Sequence, residues 1–321
     1  MKSITYPIIT SNRLAGIELE IHDPRKCGKL PRQVDGWEAK GDASITGVEY
    51  VLAKPMLLGK PLMDAVERLS KAIKESGAWP RKKGAIHVHV SAPDYTDQDA
   101  FKLALLYANL AKHLRKIIGD SRSNNKFCPI IVPESAEALA TMFGYTDRTA
   151  VDRVHAKTAR KFAAIQLCML ACAEPSARSV EFRGFSAARR SVSIYGFAAL
   201  AIALTDVAKR MSLVEVKNYK GNLETLVPEL AEWIKWREEF ISAKLDTEKL
   251  IAKMGSEPRG VFWVVKELNC STSSAGRALS ALAETGALVK TKPGYYRVAF
   301  ENRARAILAD IRAKQGEWIA L

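Results

Sequence analysis

Strict alternation of apolar and polar positions marks the first strand. In the stretch Gly16-Ile-Glu-Leu-Glu-Ile-His-Asp23, Ile17, Leu19 and Ile21 fall on one side of an extended chain, and Glu18, Glu20 and His22 on the other. The same period recurs in Gly84–Ser91 (GAIHVHVS), which puts His87 and His89 on one face, and in Arg178–Ser186 (RSVEFRGFS), which does so for Glu181 and Arg183. Asp42–Pro55 reads as a hairpin or two strands turning near Gly47. Helical spacing appears at Pro61–Ser76, where Leu62, Ala65, Val66, Leu69 and Ile73 form a stripe and Gly77 is the stop signal. A second, amphipathic helix is predicted from Thr96 through Ile118, with aspartates at its start suited to the helix dipole. Further helices are predicted at Ala156–Ala173 and Tyr195–Met211. Strands and helices do not repeat as βα units, which argues against a TIM barrel; an antiparallel sheet with surrounding helices, an α+β arrangement, is the expected fold class.

The charged segment Leu245–Pro258 reads as a boundary, closing a large unit at 1–245. Beyond it the pattern gives a helix (RGVFWVVKEL), a turn, a second helix stopped by Gly286, and a hairpin around Pro293-Gly294. Helix–turn–helix followed by a β-hairpin is the layout of a small winged-helix domain, here 255–300, and 301–321 reads as a final basic helix. Val261, Val264, Leu268, Leu279, Leu282 and Leu288 are its expected core.

Composition narrows the class. With 321 residues and 48% hydrophobic content the chain can bury a large core. Its net charge of +14 favours an anionic partner such as nucleic acid, a nucleotide or an acidic substrate. Five cysteines without metal or disulfide spacing suit a reducing compartment, with Cys168 and Cys172 expected in the core of a helix. The N-terminal residues lack a signal-peptide stretch, and Tyr195–Val207 looks too short to span a membrane, so a cytoplasmic protein without a membrane partner is expected.

The polar pairs carry the chemistry. Burying such pairs in an apolar sheet is costly without partners, and the natural partners are a hard divalent cation and a polyphosphate. Glu49, in GVEYV, would add a carboxylate. Singly, each pair has a plainer reading: Glu-x-Glu as a solvated face, His-x-His as a zinc site or structural pair, Glu-x-Arg as a surface ion pair. Their order is more specific. The series GIELEI, Trp37/Lys40/Asp42/Ser44, GVEYV, HVHVS, SRSNNKFC, RKFAAIQL and SVEFRGF, from Ile17 to Val207, resembles the amidoligase family. That family belongs to the carboxylate–amine ligases, with a catalytic fold like that of glutamine synthetase.

The resemblance implies an ATP- and Mg²⁺-dependent ligase. It implies Glu18, Glu20, Glu49, His87 and Glu181 as metal ligands, and His89 as a nucleotide contact. Arg183 and Arg122 are implied as phosphate or substrate arginines, with Asn125 and Lys161 as further nucleotide contacts. Asp42 is a candidate base. Gln166 stands where the family usually has Asn, and Lys54-Pro55 replaces a Ser-Pro. The expected reaction joins a small-molecule or peptide carboxylate to an amine through an acyl phosphate. A DNA-binding regulator with a nucleotide-binding, non-catalytic ligase-like domain is the alternative. A zinc hydrolase using His87 and His89 is disfavoured, because glutamates dominate the constellation. From Ile251 onward, 11 Lys/Arg stand against 6 Asp/Glu, with Arg277 in the second helix and Lys290, Lys292 and Arg297 on the presumed wing. DNA contact through phosphates, with Ser271–Ser274 near the backbone or bases, is the expected role of this module, and docking to another protein the alternative.

Overall fold

Leu14–His22 (β1) is extended as its alternation predicts, with Ile17, Leu19 and Ile21 almost wholly buried. It lies near the middle of an eight-stranded sheet in a computed structural model that describes residues 4–22, 30–41, 47–76, 84–118, 164–242, 247–254, 257–268, 272–284 and 287–298. The other strands are Gln33–Val34 (β2), Trp37–Lys40 (β3), Gly47–Leu52 (β4), Met56–Leu57 (β5), Ala85–Ser91 (β6), Ile165–Gln166 (β7) and Ser179–Ser186 (β8). Their order is β2-β3-β4-β1-β6-β8-β7, with β5 pairing the start of β1, and every pair is antiparallel. This is the expected antiparallel sheet with helices.

The helices are Lys60–Glu75 (α1), Asp97–Asn109 (α2), Ala111–Ile118 (α3), Ser191–Arg210 (α4), Leu213–Asn218 (α5), Leu223–Leu226 (α6) and Ala231–Ser242 (α7). Helix α1 buries the five residues of its predicted stripe. Helix α4 is buried along most of its length and packs against β6, β1, α1 and α2. It is long and apolar enough to pass for a membrane span by length and composition, so the expectation that the run at Tyr195–Val207 is too short for one is corrected. With 78% of the relevant window inside the fold, it is the central core helix. Phe182, Phe185, Phe197 and Trp233 form a chain of ring contacts with centroids 6.1, 4.5 and 5.3 Å apart, tying β8 to α4 and α7.

Two helical expectations are corrected. Thr96–Ile118 is two helices broken at Leu110, and α2 is buried on nearly all sides instead of being amphipathic. Of Ala156–Ala173, the described part holds the strand Ile165–Gln166 and a short 3₁₀ turn at Cys168–Ala171, and Cys172 is only half-buried. Sheet pairing wins over local apolar spacing there: Ile165 sits opposite Phe182 and Gln166 opposite Glu181. The two strands at Gln33–Val34 and Trp37–Lys40 were not expected. They turn through Gly36, whose φ of 81° suits glycine.

Charged groups brace the helix side. Arg13, 8% exposed, donates through Nε to Asp206 at 2.7 Å and through Nη1 to Asp94 and the Ser91 carbonyl at 2.8 Å each. Lys102 donates to the Lys209 and Met211 carbonyls at 3.1 and 2.9 Å, closing the C-terminal end of α4. It also pairs with Asp99, which forms a capping box with Thr96. Burial pushes the Asp99 carboxyl up, but the Thr96 amide and Lys102 outweigh it and bring it from 3.8 down to about 2. A carboxyl lowered on folding contributes stability that is complete above the unfolded value and lost as pH falls through the folded one. Asp99→Asn is therefore expected to lower the melting temperature at pH 7, with the gap from the parent narrowing as pH falls toward about 2. Calorimetry across that range measures it.

The chain divides into two compact units, Met1–Arg237 and Glu238–Leu321. In the second, Thr247–Met254 (α8), Val261–Leu268 (α9) and Thr272–Glu284 (α10) accompany a three-stranded sheet of Arg259–Gly260 (β9), Leu288–Lys292 (β10) and Tyr295–Val298 (β11), in the order β10-β11-β9. Gly294 turns the β10–β11 hairpin with a φ of 77°. Val264, Leu279, Leu282 and Leu288 are buried as the pattern predicts, and Val261 is half-buried. The 301–321 segment lies outside the described residues.

Candidate functional site

The face of the sheet opposite its helical core collects the polar pairs. In β1 the even positions carry Glu18 and Glu20, and residues directly opposite in an antiparallel ladder share a face. Glu18 stands opposite His87, Glu20 opposite Glu49, and His89 opposite Glu181. One row of side chains therefore crosses β4, β1, β6 and β8. Lys40 continues it opposite Glu49 on β3, and Gln166 opposite Glu181 on β7.

The side chains converge on Glu18. One of its oxygens lies 3.1 Å from His87 Nδ1 and the other 3.1 Å from His89 Nε2. His87 Nε2 is 3.7 Å from Glu20, while Glu181 lies 3.7 Å from His87 and 4.0 Å from His89. Glu20, His87 and Glu181 are buried, whereas Glu18 and His89 keep 26% and 30% of their side chains open, so the cluster is reached from solvent through these two. Burial alone would push the Glu18 carboxyl up; hydrogen bonds to both imidazoles override it and hold Glu18 well below the usual carboxylate range. Burial lowers His89, and the hydrogen bond to Glu18 with the charges of Glu181 and Glu18 outweighs it, leaving a net rise.

Arg183 shares the face of Glu181, as alternation predicts, and an irregularity in β8 begins at it. Val88 pairs with Phe182 but Ile86 with Phe185, so Arg183 and Gly184 together oppose the single residue His87. Such a bulge turns a strand by one residue and re-aims a side chain. It lets Phe182 and Phe185, three residues apart, both enter the core, which strict alternation does not allow. The bulged segment is held by the Arg183 amide donating to the Ala164 carbonyl at 2.8 Å. A Cβ on Gly184 would stand 2.7 Å from the Tyr107 hydroxyl, so a side chain there would press on α2. Arg183 Nη1 donates to Glu181 Oε1.

Glu18, His89 and Glu181 offer ligand atoms that all lie within 4.8 Å of one another, a spacing that could hold a metal ion. The donor set fits a hard divalent cation: carboxylate oxygens outnumber imidazoles in the cluster, and oxygen donors suit such ions. The resemblance divides the histidines into one metal ligand and one nucleotide contact. Here both stand the same distance from Glu18, and His89 completes the tightest group. Asp42, Arg122, Asn125 and Lys161 lie outside the described residues. The pairing of Gln166 with Glu181 and the bulge at Arg183–Gly184 go beyond what alternation reveals. A two-residue strand and an extra residue in a ladder leave no periodic trace in sequence.

Residues 13–187 match the family described as "putative amidoligase enzyme". That is more than half of the chain, and it runs from just before β1 to just after β8, taking in the whole sheet. The chain belongs to the amidoligase family. Membership points to ligase activity, and the polar row across β4, β1, β6 and β8 lies entirely within the amidoligase region. No curated protein matches the chain.

Proposed function

We propose that this protein is an ATP-dependent carboxylate–amine ligase with a glutamine-synthetase-like catalytic fold. The observation that carries the proposal is the convergence of Glu18, Glu20, Glu181, His87 and His89 within one buried but reachable cluster, flanked by Arg183. A carboxylate and an amine do not condense in water unless the carboxylate gains a leaving group. One carboxylate oxygen attacks the γ-phosphorus of ATP, the bond to the bridging oxygen breaks, and ADP leaves. The amine nitrogen then attacks the acyl carbon, phosphate departs, and the nitrogen loses a proton to a base, leaving an amide.

The residues divide this work. Glu18, Glu20, Glu49, His87 and Glu181 are the proposed Mg²⁺ ligands, with His89 beside them as the nucleotide contact. When bound, Mg²⁺ supplies positive charge that offsets the phosphates. Glu18, kept ionised by its two imidazole partners, offers a charged carboxylate at neutral pH. Arg183 is held by Glu181 and carries a fixed cation to the rim of the cluster, where its planar donors match phosphate oxygens. By the family resemblance, Arg122 is proposed as a second phosphate arginine, Asn125 and Lys161 as nucleotide contacts, and Asp42 as the base that takes the amine proton. ADP release with a panel of acids and amines tests the proposal. It is expected only when acid, amine and Mg²⁺·ATP are present together, and to be lost in Glu18→Ala and Arg183→Ala. Unaltered turnover in both variants would contradict it.

The second unit supports an additional reading as a winged-helix module that contacts DNA. Lys290, Lys292, Arg297 and Arg277 are all exposed, and the hairpin from Leu288 to Val298 carries no acidic residue. Duplex binding by the full chain is expected to weaken steeply with added salt and to weaken further in the Lys290→Glu/Lys292→Glu variant. Salt-insensitive retention in that variant would sink this reading.

A further inference from the structure

A bulge also shapes the hairpin of the second unit, and it gathers cations around a tyrosine. Lys290 and Lys292, two residues apart on β10, stand opposite the adjacent residues Tyr296 and Tyr295 of β11. Thr291 is therefore the extra residue, and its hydroxyl donates to the Tyr295 carbonyl at 3.4 Å. Strict alternation from the buried Leu288 would turn Lys292 to the inner face, the face of the buried Tyr296. The bulge brings it instead to the outer face, where its ammonium sits 4.4 Å from the centroid of the Tyr295 ring. Arg297, two residues on from Tyr295, shares that face and pairs with Val289, which is 44% exposed. Gly260 of β9 stands opposite Tyr295 on its other flank, and a Cβ there would lie 3.5 Å from the ring.

The outer face thus holds a half-buried aromatic ring, bordered by bare backbone at Gly260 and by the exposed side chains of Val289, Lys292 and Arg297. Its charge suits a phosphate backbone, and its ring suits a flat group. A duplex would use the charge alone, because its bases stack on one another and turn only their edges to a protein. An acidic peptide would satisfy the cations but offers the ring nothing flat. An unpaired base on its phosphate chain uses both.

We infer that this outer face binds single-stranded nucleic acid, with one unpaired base stacked on Tyr295 and with Lys292 and Arg297 on the flanking phosphates. The inference rests on the reading of the second unit as a nucleic-acid contact, and it names the form of nucleic acid taken there. The Lys292 ammonium covers the ring, but an exposed cation over an aromatic face is held less strongly than a stacked base. The base therefore displaces the ammonium, whose flexible four-carbon stem lets it turn to a phosphate beside the ring. Every base has a π-face, so binding of this kind tolerates changes of sequence.

Fluorescence anisotropy on the full chain with three labelled probes separates ring from charge: oligothymidylate, the same strand with abasic sites throughout, and a duplex of equal length. The parent protein is expected to bind oligothymidylate roughly tenfold tighter than the abasic strand, the size of one stacked base. Tyr295→Leu is expected to erase that advantage while abasic and duplex binding stay at the parent level, which also reports that the variant is folded. Tyr295→Phe, which keeps the ring, is expected to retain it. Equal affinity of the parent for oligothymidylate and the abasic strand would overturn the inference and leave the nucleic-acid reading standing. So would an undiminished preference in Tyr295→Leu, or an equal fall for all three probes in that variant. Displacement of oligothymidylate by polyglutamate as effective as that by unlabelled strand would assign the face to an acidic protein instead. Failure of the parent to bind any of the three probes would count against the nucleic-acid reading and the stacked base together.

Discussion

Glu18→Gln is expected to reduce ligase turnover by about 100-fold or more, with the fold unchanged by circular dichroism. The size follows from what the carboxylate does. Its two oxygens each hold one histidine at 3.1 Å, and it belongs to the group whose ligand atoms lie within 4.8 Å. An amide keeps the shape but loses the charge and one acceptor. Both imidazoles then lose the partner that orients them, and disturbing ligand orientation alone typically costs 10–100-fold, so about 100-fold is the lower end for removing a ligand itself. The side chain is partly open to solvent, so the fold gives up little. Turnover measured against Mg²⁺ concentration checks the point: the variant is expected to need more Mg²⁺ and still not recover the parental rate. Full recovery at high Mg²⁺ would reassign Glu18 from chemistry to affinity alone.

Gly196→Ala is expected to be the most damaging of the small substitutions in the larger unit. Gly196 lies within α4, where helix propensity alone favours alanine by roughly 1 kcal/mol. Packing reverses the sign. A Cβ there would fall 2.1 Å from the Trp233 indole, whose Nε1 donates to the Val192 carbonyl at 3.0 Å and whose ring meets Phe197. The indole cannot withdraw without breaking that hydrogen bond and the aromatic chain that reaches β8. Overpacking of this kind costs about 3 kcal/mol. For a unit of this size that lowers the melting temperature by on the order of 10 °C. Differential scanning calorimetry measures it, and a melting temperature at or above the parent's would show that α7 shifts freely.

Reading strand period from sequence worked where one face is buried and the other polar. β1, β6 and the first half of β8 turn Ile17, Val88 and Phe182 to the apolar core and Glu18, His87 and Glu181 to the opposite face, and the cluster is legible from that parity. It failed in three places for identifiable reasons. The bulge at Arg183–Gly184 inserts one residue into the ladder, so Phe185 enters the core against the count. Ile165–Gln166 is only two residues long, and its pairing with β8 overrides a helical spacing of apolar residues. The edge hairpin of β2 and β3 buries chiefly Trp37, too little for alternation to register. Continuous burial hid the true form of α2, because a helix enclosed on nearly every side has no polar stripe. Asp42, Arg122, Asn125 and Lys161 enter through the family resemblance.

If the carboxylate is activated by phosphoryl transfer, the activated acid can be trapped. The full chain is incubated with Mg²⁺·ATP, a panel of carboxylic acids and hydroxylamine, a small nucleophile that intercepts acyl phosphates. A hydroxamate is expected from at least one acid, with ADP and phosphate formed in equal amounts and no product from Arg183→Ala. Hydroxamate accompanied by AMP and pyrophosphate would contradict it. So would stoichiometric zinc in the purified protein with no nucleotide consumed.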